Sequence, residues 1–367
     1  MSYSCENIES AVELLRELVR IPSYTFHEGK IADFLENYLT KRSCGYILKR
    51  VGNNIVIYGD DYSLQKETLL FCAHIDSVKE SEEYSFDPFC ATLSQGKILG
   101  LGSNDDKGSV TAALFAFFYY IKEVTQRRIN VVVALCAEEE RGGENGITLL
   151  LNSFAQLNLR ADYAIICEPT GLEAAIAEKG LLVIDGTAKG VSGHAARNEG
   201  MNAIYIALED IDRLRRFRFT RVSPLSGEVM LSVTQINGGS AHNVIPDKCT
   251  FTVDIRPTEL YGNEEILSML SRETKSALVA RNLKNRSSAT PKESPLYRWA
   301  VRRKIKMFVS PTASDWTKVN FPALKIGPGE SQRSHKADEY ITVEEIKRGI
   351  EMYTDIIDFI NKEDNIE

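Results

Sequence analysis

The sequence predicts an α/β protein of two domains, the second inserted into the first. Three observations predict it. Short, continuously apolar runs alternate with segments of helical periodicity up to residue 176. Between 177 and 290 the strand-like runs change to strict apolar–polar alternation, and after 291 the earlier kind returns. Continuous apolar runs suit strands in a sheet covered by helices on both faces, whereas alternation suits strands with one face in solvent. Residues 1–176 and 291–367 therefore form one domain, and 177–290 the insert.

Taken in order, residues 8–20 and 29–42 have the spacing of two amphipathic helices. "TLLFCAHID" reads as a buried strand and "GSVTAALFAFFYYIKEV" as a buried helix, followed by strands in "INVVVALCAEEE" and "DYAIICEPTG". In the insert, "KGLLVIDGTAKG", "VMLSVTQING" and "CTFTVDIRP" alternate with period two. "MNAIYIALEDIDRLRRF" and "NEEILSMLSRETKSALVAR" read as helices on one face of that small sheet. "KNRSSATPKESP" reads as a return linker. After it, "FPALKIGPG" and "ITVEEIKRGIEMYTDIIDFI" supply a last strand and a closing helix.

Composition narrows the function. The 367 residues are 43% hydrophobic and 26% charged, enough for two ordinary cores. A net charge of −7 argues against nucleic acid as a partner. The N-terminus lacks the basic leader and apolar core of a signal peptide, and no run approaches the roughly 18–20 apolar residues of a membrane span. Seven cysteines are scattered singly, without a CxxC pair, which points to reduced thiols in a cytoplasmic protein. Cys72, Cys136 and Cys167 lie in or at the end of apolar runs and read as small core residues.

The chemistry sits where the buried strands end. His74 and Asp76 follow "LLFCA", Glu138, Glu139 and Glu140 follow "VVVALCA", and Glu168 follows "DYAIIC". Asp105 and Asp106 precede a helix, and His335 lies near the chain end. Ligands of open α/β sheets bind at the carboxyl ends of the strands, so these groups converge on one crevice. So many carboxylates cannot stay ionised together unless a cation offsets them. Imidazole plus carboxylate, without thiolate, suits zinc or another first-row divalent ion, and a bridging carboxylate would allow two ions.

The motifs "AHIDSV", "GLGSNDDKGSV", "AEEERGG", "CEPTG", "GVSGHAARNEGMNAI", "NVIPDKCTFTVDIRP" and "SHKADEY" occur in this order along the whole chain. In this the sequence resembles the dinuclear zinc amidohydrolase and exopeptidase family that includes acetylornithine deacetylase, succinyl-diaminopimelate desuccinylase and the glutamate carboxypeptidases. The resemblance implies a mixed, mainly parallel sheet with helices on both faces, of zinc-exopeptidase type, plus an α+β two-layer lid and dimerisation domain. It implies two zinc ions per subunit, with cobalt or manganese as substitutes. His74 and Glu168 would hold the first ion, Glu140 and His335 the second, and Asp105 would bridge. Asp76 would orient His74. The peptide after Asp105 is cis in the family.

The resemblance also makes Glu139 the general base, taking a proton from the attacking water and returning it to the leaving amine. The alternative register would make Glu138 the base and Glu139 the ligand. His194 would stabilise the oxyanion, from the other subunit in dimeric relatives. Arg256 matches an arginine that binds the substrate carboxylate, and Asn243 matches a substrate-side position. Lys179 is a further substrate-binding candidate. Gly327 and Gly329 would offer N–H groups to an anion. Ser314 and Asp315 match a substrate pocket, where Asp315 would meet a cationic side chain. His27 and His242 have no motif role. The chain departs from the family's usual pattern at Leu101, often arginine, and Asp106, often methionine.

The activity implied is hydrolysis of an N-acyl amino acid, foremost N2-acetylornithine or an N-acetyl or N-succinyl derivative of ornithine or citrulline, as in arginine biosynthesis. A desuccinylase of succinyl-diaminopimelate, or a dipeptidase or carboxypeptidase, would share the same catalytic set. A binding protein without metal on the same fold is the alternative from another class. The partners implied are a small substrate and a second subunit, with no nucleic acid and no membrane.

Overall fold

The structure, a computed structural model, describes residues 5–42, 44–197 and 199–362. Residues Met1–Ile176, Thr290–Phe308 and Ser314–Glu367 form one compact unit, and Ala177–Ala289 with Val309–Ala313 form another. The short piece 309–313 belongs to the second unit, although sequence alone assigns it to the first. It begins with the last two residues of the strand Met307–Ser310, which pairs with Ala174–Glu178, the strand along which the chain leaves the first unit.

The sheet of the first unit runs in the order Tyr46–Val51, Asn54–Gly59, Asn130–Cys136, Thr68–His74, Tyr163–Ile166, Ala323–Lys325 and Ala174–Glu178. The pairings from Asn130–Cys136 through Ala323–Lys325 are parallel, and the flanking ones antiparallel. The sheet is mixed, with its parallel strands at the centre. Alternate side chains of Thr68–His74 enter two different cores. Leu69, Phe71 and Ala73 face one, built with the helices Cys5–Val19, Gly29–Lys41, Gly108–Glu123 and Val343–Lys362. Leu70 and Cys72 face the other, with Ile147, Leu150 and Trp316. Burying one such Leu or Phe contributes roughly 1.5–3 kcal/mol, which is why strands covered on both faces carry unbroken apolar runs.

The second unit is a four-stranded antiparallel sheet in the order Met230–Gly238, Lys248–Arg256, Leu182–Lys189, Ala277–Ala280. Helices Ala203–Arg216 and Asn263–Glu273 cover one face through Ala207, Leu214, Ile266 and Leu270. The reading of "NEEILSMLSRETKSALVAR" as one helix is corrected here: the helix ends at Glu273 and Ala277–Ala280 is a strand. The cause is buried Asp210, whose carboxylate accepts the N–H groups of Lys275 and Ser276 at 2.7–3.1 Å and turns the chain out of the helix. No helix among the described residues is long and apolar enough to cross a membrane.

Candidate active site

The parallel pairing assembles the site. His74 lies opposite Cys136, which sets the end of Thr68–His74 level with the loop that holds the three glutamates. On its other side Cys72 lies opposite Ile166, which brings Glu168 alongside. Asp105 and Asp106 sit in the turn Ser103–Lys107 that opens helix Gly108–Glu123, and the peptide between them is cis.

His74 Nε2 lies 3.0 Å from Asp105 Oδ1. Its Nδ1 faces Asp76, 3.1 Å from the carbonyl oxygen and 3.4 Å from Oδ1. Asp76 is fully buried and does more than orient the ring. Its Oδ1 accepts the N–H of Glu139 at 3.1 Å, and its Oδ2 accepts the N–H of Glu140 at 3.2 Å and the Thr25 hydroxyl at 2.8 Å. One residue thus holds His74, through its carbonyl, and Glu139 and Glu140, through its carboxylate, in register. Asp106, at one of the departures from the family pattern, accepts the backbone N–H of His74 at 3.2 Å.

The three consecutive glutamates point to three different places. Glu138 has a left-handed backbone, φ 59°, and its carboxylate accepts the N–H and the Nδ2 of Asn145, each at 3.0 Å. It is a buried brace for its own loop. Glu139 lies with His74 and Glu168, their ligand atoms within 4.8 Å of one another. Glu140 lies within the same distance of His74 and Asp105. His335 Nε2 is 2.8 Å from Glu140 Oε2 and 3.8 Å from Asp105 Oδ2.

The electrostatics call for positive charge at this point. Burial pushes the carboxyls of Asp106, Glu139 and Glu168 well above their ordinary range. Burial pulls the His74 imidazole down, but its contacts with Asp105 and Asp76 outweigh this and hold it well above the usual histidine value. The bond to Glu140 raises His335 as well. A shell of oxygen and imidazole donors that lacks counter-charge fits divalent cations.

Two supporting residues were missed in the sequence. Glu339, 3% exposed, accepts the N–H groups of Gly102, Asn104 and Asp105 at 2.8–2.9 Å and so shapes the loop that carries Asp105. Burial pushes it up to about 7. Lys107 is fully buried, and burial lowers it to about 8 while Glu339 and Asp76 draw it the other way. Both stand inside quoted motifs, but nothing local in sequence links Glu339 to residues 102–105.

The remaining candidates sort differently. Gly327 does not offer its N–H to an anion, because that group donates to Thr170 Oγ1 at 3.1 Å. A Cβ at Gly327 would lie 2.6 Å from the Glu168 carbonyl, and one at Gly329 2.5 Å from Asn104 Oδ1. These glycines let the chain pass close to the two ligand loops. Ser314 caps the turn Asp315–Lys318, its Oγ accepting the Trp316 N–H. Asp315 is 3% exposed and meets Lys318 Nζ at 3.1 Å, so its cation is internal and not a substrate side chain.

In the second unit, His194 and Asn243 come together. The strand pair Gly193–His194 and Val244–Ile245 sets His194 opposite Val244, and the Ala195 N–H donates to the Asn243 carbonyl. Both residues are exposed. Arg256, on a central strand, makes a two-pronged contact to Asp254 at 2.9 and 3.1 Å. Lys179 Nζ donates to the Glu228 carbonyl at 2.7 Å. His27 and His242 are exposed.

Comparison with known proteins gives a consistent result. A sequence model of the family described as Peptidase family M20/M25/M40 matches residues 70–358. A succinyl-diaminopimelate desuccinylase 2 of Ruegeria sp. (strain TM1040) is 29% identical over 282 residues, 72% of this chain and 70% of that protein. An acetylornithine deacetylase of Proteus mirabilis (strain HI4320) is 28% identical over 381 aligned positions, 95% of this chain and 96% of the relative. Among solved structures, the YXEP protein of Bacillus subtilis, described as a dinuclear metal binding peptidase from the M20 family, superposes with a TM-score of 0.72. The two are 14% identical, and the match covers 99% of this chain and all of that one.

Proposed function

The chain belongs to peptidase family M20/M25/M40 and is a hydrolytic enzyme, and within that family we propose that it hydrolyses the amide bond of an N-acyl amino acid, N2-acetylornithine before others. The observation that carries the reading is the division of labour among adjacent glutamates: Glu139 stands with His74 and Glu168, and Glu140 with Asp105 and His335. A base beside two ligand sets is the arrangement that amide hydrolysis needs.

In this reading His74 and Glu168 would hold one ion and Glu140 and His335 the other, with Asp105 shared between them. The ions would be zinc, with cobalt or manganese as substitutes. When bound, they polarise the amide carbonyl and make water a better nucleophile. Glu139 takes the proton of the attacking water and delivers it to the leaving amine. Asp76 fixes where Glu139 starts, through the Glu139 N–H. His194 donates to the oxyanion. Its Nδ1 accepts the Ala196 N–H at 3.2 Å, which leaves the proton of a neutral ring on Nε2. Arg256 binds the substrate carboxylate, with Asn243 and Lys179 beside the substrate. The protein works as a homodimer through the inserted unit, in a reducing cytoplasm that suits its six described, unpaired cysteines.

The acetylornithine reading draws on a relative that matches nearly the whole chain. The desuccinylase reading draws on relatives that match 92–95% of it at 26–27% identity. Release of free amine from N-acetylornithine, N-acetylcitrulline, N-succinylornithine and N-succinyl-diaminopimelate, with zinc or cobalt and with chelator, tests both. Metal-dependent turnover of an ornithine or citrulline derivative above the rest is expected. Turnover of the diaminopimelate compound alone would transfer the protein to the desuccinylase reading, and silence across the panel would overturn both.

A further inference from the structure

Below the strand ends, on the sheet face opposite the long helices, lies a second cluster of donors that the hydrolytic site does not use. Cys72 and Cys136 come from the paired strands Thr68–His74 and Asn130–Cys136, and Asp315 from the turn Asp315–Lys318. All three are buried, at 2%, 0% and 3% exposure. One ligand atom of each lies within 4.8 Å of the others. We propose that Cys72, Cys136 and Asp315 form a third metal site, separate in chemistry from the dinuclear one, for a thiophilic divalent ion such as zinc, cobalt or cadmium.

Three observations carry the proposal. The first is the spacing of the sulfurs, 3.7 Å. A tetrahedral ion with metal–sulfur bonds of about 2.3 Å sets its two sulfurs about 3.8 Å apart. A disulfide does not suit this pair. The register places Cys72 opposite Ala134, two residues short of Cys136. Strands about 4.8 Å apart with a rise of about 3.3 Å per residue then separate the two Cα atoms by about 8 Å. That exceeds the roughly 7 Å beyond which a disulfide needs backbone movement.

The second observation is an orphaned oxygen. Asp315 Oδ1 is paired with Lys318, but Oδ2 is buried and has no hydrogen-bond partner. A thiol–thiol hydrogen bond accounts for the sulfur contact and leaves that oxygen unsatisfied. A bound ion accounts for both. The third is the setting. Lys318 Nζ, 3.1 Å from Asp315 Oδ1, places a positive charge beside the donors. The surroundings, Leu70, Val132, Ala134, Ile166 and Trp316, form an apolar shell that keeps competing water out.

The test uses the full-length protein made in cobalt-supplemented minimal medium, so that ions are present while the chain folds around the buried site. The candidate dinuclear ligands include no thiol, so a thiolate-to-cobalt charge-transfer band in the near ultraviolet reports only cysteine ligation. The expected result is that band, with one more cobalt per chain than in the Cys72→Ser/Cys136→Ser double variant, which lacks the band. Cys44→Ser, at an exposed cysteine, retains it. Asp315→Ala, which keeps both thiols should the double variant fail to fold, weakens the band or shifts it. Wild-type protein without the band, or a band that persists without Cys72 and Cys136, overturns the proposal. Neither result bears on amide hydrolysis, whose failure would show in the amine-release panel alone.

Discussion

In the first unit, His74, Glu139 and Glu140 all hang from one buried residue, Asp76, and the loop of Asp105 hangs from another, Glu339. In the second unit, His194 stands exposed on a two-residue strand, and Arg256 is engaged by a neighbour on its own strand. The difference teaches where each kind of chemistry needs rigidity. Ion binding and proton transfer fail on displacements of an ångström, so the groups that carry them are braced from behind. Groups proposed to meet a substrate, such as His194, need reach, and fewer bonds hold them.

The contrast can be broken by measuring metal content beside activity. Chelation should have the largest effect: complete loss of turnover, recovered with zinc or cobalt, and a lower melting temperature as the buried carboxylates lose their counter-charge. Unchanged activity in the chelated protein would break the metal reading. Next comes Glu139→Gln, expected to lower kcat by about 10³-fold or more with both ions retained. Should this variant lose metal while Glu138→Gln loses activity, the register of base and ligand is wrong by one. His194→Ala should cost about 10²–10³-fold in kcat with metal content unchanged. Mixing its inactive chains with Glu139→Gln chains should restore some activity if the histidine serves a partner subunit.

The smaller effects sharpen the picture. Asp76→Asn should lower metal affinity and activity together by about 10–100-fold, as expected for a brace that touches both. Arg256→Ala should act mainly on KM, by about 10-fold or more, from the loss of charge-assisted hydrogen bonds. If KM does not move, the Asp254 pair is the whole role of this arginine.

The sequence exposed the first unit's chemistry well and its bracing poorly, for a physical reason. A buried parallel strand is an unbroken apolar run, so an acid or histidine at its end stands out. That brought His74, the three glutamates and Glu168 forward as candidates, whereas the mixed sheet was implied by the family resemblance. The service of Asp76 to Glu139 and Glu140 depends on which strand lies beside which, and the bond from Asp105 to Glu339 spans a sequence separation of 234 residues. Neither leaves a local trace. The same limit hid the strand Ala277–Ala280, since "SALVA" continues a helical period and only Asp210, far away in sequence, ends it. Asp315 is a different case: it was expected to meet a cationic substrate side chain, and it meets Lys318 three residues on.

The grip of Glu339 on residues 102–105 has a consequence for biosynthesis. On the ribosome, the loop that carries Asp105 is made long before its acceptor emerges, and His335 arrives just as late. Until then the Gly102, Asn104 and Asp105 amides have only water to satisfy them. The site is therefore among the last parts of the chain to take shape, and closing so long a loop makes its assembly slow. A chain that stops before residue 335 has four of the five proposed ligands, so the proposed centre needs synthesis to run at least as far as Glu339.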